Sequence, residues 1–254
     1  MKGLLAFCDI LGYQSFLENN QAEDAAMRVL DIITGTPEQI KSLVDIKVGS
    51  LEDTKVNSNI PEMVEYLIFS DTIVLMLPYP DEASRCWKMG ALTYMSYYTS
   101  YLHHEMFKKG LPLRSVIHEG SFFKRESCLA GRGIVEAYQV SEQLNVSSVV
   151  FSDSLAAKMK KENANMKFDG SEDASHHFIE YLTPLKKGNQ KKMIHFNWLR
   201  FSPKKGLEIT DPVEFVLKSF WAHKKDCPIS VNLKIEETSK LIRRFKILTS
   251  ESSA

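Results

Sequence analysis

Two aspartates stand in similar surroundings far apart in the chain. Asp9 ends the apolar run of LLAFCDILGYQSFL (residues 4–17), and Asp71 interrupts that of YLIFSDTIVLMLPY (residues 66–79). Each alone reads as a turn residue or helix cap. Together they suit a different chemistry. Joining an oxygen nucleophile to the α-phosphorus of a nucleotide takes two divalent ions about 3.5 to 4 Å apart, and two carboxylates on adjacent strands can bridge such a pair. Mg²⁺ takes oxygen ligands and keeps some waters, so Asp9, Asp71 and one main-chain carbonyl, that of Ile10, are sufficient protein ligands.

That chemistry requires the strand ending at Asp9 to lie beside a hairpin carrying Asp71. Residues 3–9 read as a short buried strand, Gly12 as a tight turn, and YQSFLENNQAEDAAMRVLDIITG as a helix. A polar loop is expected over 36–61. VEYLIF and TIVLML form a hairpin around Ser70 and Asp71, with both arms buried on both faces. Residues 81–109 lack proline and are followed by Gly110 and Pro112, which predicts a long helix. LPLRSVIHEGSFFKRES then reads as two strands around Glu119 and Gly120. GRGIVEAYQVSEQLN follows as a helix, SVVFS as a strand, DSLAAKMKKEN as a helix, and 176–199 as two strands around KKGNQKK. Beyond residue 200, DPVEFVLKSFWAHKK and SKLIRRFKIL read as helices before a polar tail. The leading order, strand-helix-strand-strand-helix-strand, is that of a ferredoxin-like α+β core.

Lys plus Arg equals Asp plus Glu at 32 each, so no general nucleic-acid or anionic-membrane binding is expected. No run approaches the ~18 apolar residues of a membrane span, and no signal-peptide pattern opens the chain, which points to the cytoplasm. Cys8, Cys86, Cys128 and Cys227 show no metal-binding spacing and read as reduced, buried thiols. The adjacent histidines in YLHHEMF and ASHHFIEY point to different sides of their elements, so no zinc site is assigned.

These residues carry a resemblance. AFCDILGYQSFL resembles the first metal motif of class III nucleotidyl cyclases, and FSDTIVLML the second, with Ser-Asp where many adenylyl and guanylyl cyclases have Gly-Asp. LPLRSVIHEG is similar to the strand after that family's long helix, and AGRGIVEAYQVSE to the glycine-started helix that follows. Order and spacing agree over about residues 3–200. Ser-Asp together with the Gly-x-x-x-x-Glu-Ala-Tyr helix looks most like the pyrimidine cyclases of the bacterial Pycsar antiphage system.

The resemblance implies a catalytic domain over 1–200, with an α+β, ferredoxin-like cyclase core of mixed, mainly antiparallel sheet and packed helices. A C-terminal helical extension and polar tail occupy 201–254. It implies two Mg²⁺ or Mn²⁺ per site on Asp9 and Asp71, and a homodimer with composite active sites. UTP would be converted to 3′,5′-cyclic UMP and pyrophosphate, with CTP to cyclic CMP as the alternative, and a separate cyclic-nucleotide-binding effector would respond. The Asn and Arg of the family's interface helix are replaced by Val135 and Gln139, so a catalytically inactive nucleotide sensor is a further alternative. Arg114 and Arg132 are the candidates to supply the missing cation. Leu67 and Cys128 stand where adenylyl cyclases carry a base-selective lysine and aspartate. Tyr66 could stack on a pyrimidine, although alternation puts it on the opposite face from Asp71 unless the hairpin is bulged. Arg114 could instead face the base carbonyl. Lys186 or Lys187, in the turn of the late hairpin, would contact the triphosphate.

Overall fold

The structure, a computed structural model, describes residues 1–21, 60–126, 128–162, 177–201, 211–225 and 229–250, and between 23 and 35 all but 25, 28, 32 and 33. The chain opens with β1 (Lys2–Ile10) and α1 (Tyr13–Glu18), and later forms α2 (Ile60–Met63), β2 (Glu65–Phe69), β3 (Thr72–Pro78) and α3 (Arg85–Lys108). Then come β4 (Leu113–Ser121), β5 (Phe123–Arg125), β6 (Cys128–Ala130), α4 (Arg132–Gln143), β7 (Ser148–Phe151) and α5 (Asp153–Glu162). β8 (Phe178–Pro184), β9 (Gln190–Phe196), α6 (Pro212–Phe220) and α7 (Ile229–Ser250) complete it.

A seven-stranded sheet has the order β2-β3-β1-β4-β7-β9-β8. Its first four strands, read 2-3-1-4 with every neighbour antiparallel, form the ferredoxin-like core, and β4 and β7 pair in parallel. The fold is therefore α+β. β1 lies between β3 and β4 and is buried from Gly3 to Ile10 except at Asp9.

Alternation splits β1 between two cores. Leu4, Ala6, Cys8 and Ile10 pack with Ile73, Leu75 and the aromatic residues of α3. Leu5 and Phe7 pack with Val74, Met76 and Ala137, beneath α4. Asp9 continues the second set, so its carboxylate faces the α4 side. Val216 of α6 and Ile235, Leu241, Ile242 and Phe245 of α7 join the α3-side core. The C-terminal helices thus bury apolar surface against the sheet.

Several expectations are corrected. β4 runs straight through Glu119 and Gly120 to Ser121, and the turn expected there falls between β5 and β6. The first helix is interrupted after Glu18, where Asn20 Nδ2 donates to the Phe16 and His223 carbonyls, and the described residues between 23 and 35 are helical again. The helix expected through Lys225 stops at Phe220, with His223 and Lys224 at positive φ, whereas α7 is longer than expected. β2 is an edge strand with Tyr66 and Phe69 exposed, so only the second hairpin arm is buried on both faces. Among the described residues, Cys86 and Cys128 are exposed and Cys8 is buried. Cys227, nearly all of the loop expected over 36–61 and the end of the tail lie outside the described residues. No described helix is long and apolar enough to cross a membrane.

Candidate active site

The register of β1 against β3 sets Asp9 opposite Thr72, the residue after Asp71, and the Ile10 amide donates to the Asp71 carbonyl at 2.8 Å. Two aspartates separated by 61 intervening residues thus meet at one end of the sheet. The hairpin turn consists of Ser70 and Asp71, and Ser70 takes the left-handed conformation (φ 54°) that glycine adopts most readily.

On its other side β1 pairs with β4, which sets Asp9 opposite Arg114. Arg114 Nε donates to Asp9 Oδ2 at 2.9 Å, and one terminal nitrogen donates to the same oxygen. That nitrogen also reaches Glu142 Oε1 of α4 at 3.0 Å, and Lys186 Nζ donates to Glu142 Oε2 at 3.3 Å. The chain of charges is therefore Asp9, Arg114, Glu142, Lys186. Burial pushes the Asp9 carboxyl above its usual range; Arg114 opposes this, while the charges of Asp71 and Glu142 add to it. For Glu142, burial raises the carboxyl but Arg114 and Lys186 outweigh it and leave it below its usual value. Tyr13, just after Gly12, is pushed up by burial and by the Asp71 charge, so the aromatic of the Asp-Ile-x-Gly-aromatic stretch also faces the site.

Beside this cluster an open cleft of about 720 Å³ runs between α4 and the β8–β9 turn, lined by Tyr138, Gln139, Glu142, Lys186, Lys187 and Asn189. Glu142 belongs to both the cleft and the ion-pair chain. Asp9, Arg114, Lys187 and Gln139 are thereby gathered in one region.

Two sequence candidates are not. The β2–β3 register is regular from Glu65 to Phe69, without a bulge, so Tyr66 lies opposite Leu75 on the α3 face and couples electrostatically to Tyr98. It faces away from Asp9. Arg132 opens α4, is 85% exposed and pairs with Glu136 at 2.7 Å. Ten residues of helix, about 15 Å, separate it from Glu142. Arg114 pairs with Asp9 and Glu142. Glu142 gave no sequence signal beyond its place in the glycine-started helix.

A pair of divalent ions is compatible with this donor set. Among the described residues no three His, Cys, Asp or Glu side chains converge on a metal site. The two carboxylates suit Mg²⁺ or Mn²⁺, which completes its shell from water, main chain and substrate phosphates. Arg114 engages Oδ2 of Asp9, and no described residue donates to Oδ1.

No protein-family model matches the sequence, and no curated protein matches it. Solved structures with a similar chain path include three cyclase domains. The adenylyl cyclase CyaB from P. aeruginosa is 12% identical, with a TM-score of 0.40, over 77% of this chain and 93% of that one. The guanylate cyclase domain of RhGC from Catenaria anguillulae, in complex with GTP, gives 9%, 0.45, 77% and 95%. The dimeric guanylyl cyclase domain of RhoGC from Blastocladiella emersonii gives 8%, 0.47, 77% and 95%. At these values the likeness assigns no residue a role.

Proposed function

We propose that the protein is a metal-dependent nucleotidyl cyclase acting on a nucleoside triphosphate, with UTP favoured and CTP the alternative. The observation that carries this reading is the meeting of Asp9 and Asp71 across the β1–β3 pairing, beside a cleft bearing Lys186 and Lys187. In the reaction the ribose 3′ oxygen bonds to the α-phosphorus as the bond from that phosphorus to the bridging oxygen breaks. Pyrophosphate leaves with the electron pair, and the hydroxyl proton passes to solvent. Two divalent ions held by Asp9 and Asp71, with the Ile10 carbonyl, would lower the hydroxyl pKa and neutralise charge on the phosphates. Arg114 fixes the orientation of Asp9, and Lys187 meets the polyphosphate tail. Catalytic power then comes from positioning and electrostatics.

Preference for a pyrimidine is supported by two uncharged positions. Leu67 packs in an apolar cluster with Leu129, and Cys128 is the residue before it in β6, so neither position carries a charged side chain to select adenine. A homodimer with composite sites is supported by Val135 and Tyr138, 53% and 49% exposed on α4. Resemblance to the antiphage cyclases extends the reading to a second messenger sensed by a separate effector. The replacement of the usual Asn and Arg by Val135 and Gln139 favours a second reading, a nucleotide sensor without turnover.

Incubating the pure protein with each of the four NTPs and Mn²⁺, with products identified by mass spectrometry, separates them. A cyclic pyrimidine nucleotide with one equivalent of pyrophosphate is expected. Binding without pyrophosphate release for every NTP would establish the sensor instead.

A further inference from the structure

The C-terminal extension sends one charged side chain toward the site just described. Lys234 of α7 lines a narrow crevice with Leu11 and Gly12, the turn that follows Asp9, and with Val231 of the same helix. The placement of α7 is fixed by hydrogen bonds. The Ser147 amide donates to Thr238 Oγ1 at 3.0 Å, and Ser147 Oγ donates to the Leu113 carbonyl at 2.7 Å, beside Arg114. Lys234 and Thr238 are one helical turn apart and share a face, so the turn that carries Lys234 lies over the end of β1 and β4. In the same crevice, Lys225 Nζ donates to the Gly110 and Ser219 carbonyls at 2.6 and 3.2 Å, and its Cδ would lie 3.3 Å from a Cβ on Gly12. Lys225 therefore acts structurally, and Lys234 is the lysine left facing the turn.

Lys234 is half-buried and makes no hydrogen bond or ion pair among the described residues. Burial lowers its ammonium pKa, as do the charges of Arg114 and Lys186, while Asp9 and Glu142 pull it back. Arg114 and Lys186 are already engaged by carboxylates. A desolvated ammonium without a partner is unfavourable, and an anion drawn to the mouth of the crevice relieves it.

We infer that Lys234 is a binding residue for the polyphosphate of the substrate, supplied by the C-terminal helix to the Asp9–Arg114 end of the sheet. This rests on the cyclase reading for its substrate but has a readout of its own. It gives α7 a role beyond packing and adds a cation to a site that lacks the family's usual arginine.

The test measures binding of inorganic tripolyphosphate with Mn²⁺ by calorimetry, alongside cyclisation, for the wild type, Lys234→Met, Lys234→Arg and Lys240→Ala. Lys240, paired with Glu236 and Glu237 on the exposed side of the helix, is the control. Loss of one charge-assisted contact should weaken tripolyphosphate binding about tenfold in Lys234→Met, with Lys234→Arg within about threefold of wild type. Equal binding by wild type and Lys234→Met overturns the inference while leaving cyclisation standing. Lys234-dependent binding without a cyclic product from any NTP overturns the cyclase reading and leaves Lys234 in place. A wild type that binds no tripolyphosphate also overturns the inference.

Discussion

Arg114 aims two N–H groups at a single oxygen of Asp9, Oδ2, and shares one of those nitrogens with Glu142. One guanidinium thus compensates two carboxylates on different elements, a strand and a helix. Arg114 is 6% exposed, so its charge and those of its partners hold one another in a poorly solvated setting. The same arrangement orients Asp9 through Oδ2, with no described residue donating to Oδ1.

Removing the guanidinium should therefore be expensive. Arg114→Ala leaves Asp9 partly buried without its partner, while Glu142 keeps Lys186, and breaking a buried pair in this way costs about 3 kcal/mol or more. Urea unfolding should show that loss together with loss of cyclisation. A variant of unchanged stability would mean that the ion pair is not the compensating contact described.

Asp71→Asn separates metal binding from folding. The Asp71 carbonyl, which accepts from the Ile10 amide, is retained, and the side chain makes no hydrogen bond or ion pair among the described residues. Stability should move by less than about 0.5 kcal/mol, within the range of surface substitutions. Turnover with Mn²⁺ should fall at least about a hundredfold, the scale on which losing one electrostatic stabiliser acts. Chelation by EDTA should abolish wild-type turnover, and undiminished turnover in the variant would remove Asp71 from the metal site.

Gly120→Ala tests how α4 is held over the sheet. A Cβ at Gly120 would lie 2.7 Å from Gly133 Cα, a backbone atom of α4 that cannot swing aside. The helix must shift, at about 1 to 3 kcal/mol, and Glu142 at its far end moves with it. A lower melting temperature with a raised KM for nucleotide is expected, and a variant with wild-type values for both would show that the close approach is not maintained.

The meeting of Asp9 with Asp71 was legible because both ends of the argument are local: a buried run broken by a charge, and a two-residue turn between apolar arms. The order of elements along the chain followed from the same periodicity, while the order of strands within the sheet came only from the structure. Alternation also correctly warned that Tyr66 faces away, and the regular hairpin register sustains that warning. Arg132 misled because helical spacing says nothing about which end of a helix docks at a site. Glu142 and Lys234 were illegible for a different reason. Their partners are set by how α4 and α7 pack on the sheet, and single exposed-looking charges on amphipathic helices carry no mark of that.

Two buried histidines should make folding depend on acid. His195 lies between Ser148 Oγ and Thr183 Oγ1, at 2.8 and 2.6 Å, and His103 lies between Ser115 and Ser147, at 3.4 and 3.3 Å. Burial holds both near a pKa of about 3, with the neighbouring His104 adding to the effect on His103. In the unfolded chain each titrates near about 6.5. Below that value the unfolded state takes up protons that the folded state refuses, so stability present above it is lost as pH falls toward 3. Each histidine contributes up to about 1.4 kcal/mol per pH unit in that window. Asp9, raised in the folded state, works in the opposite sense, whereas His118, lowered chiefly by burial, and Glu105, Glu142 and Glu180, held low by their partners, act in the same sense as the two histidines. Urea unfolding at pH 7, 6 and 5 should show stability falling with pH, and His195→Gln should flatten the slope by the share that one buried histidine contributes. A slope that His195→Gln leaves unchanged would mean that His195 is not held neutral in the folded protein.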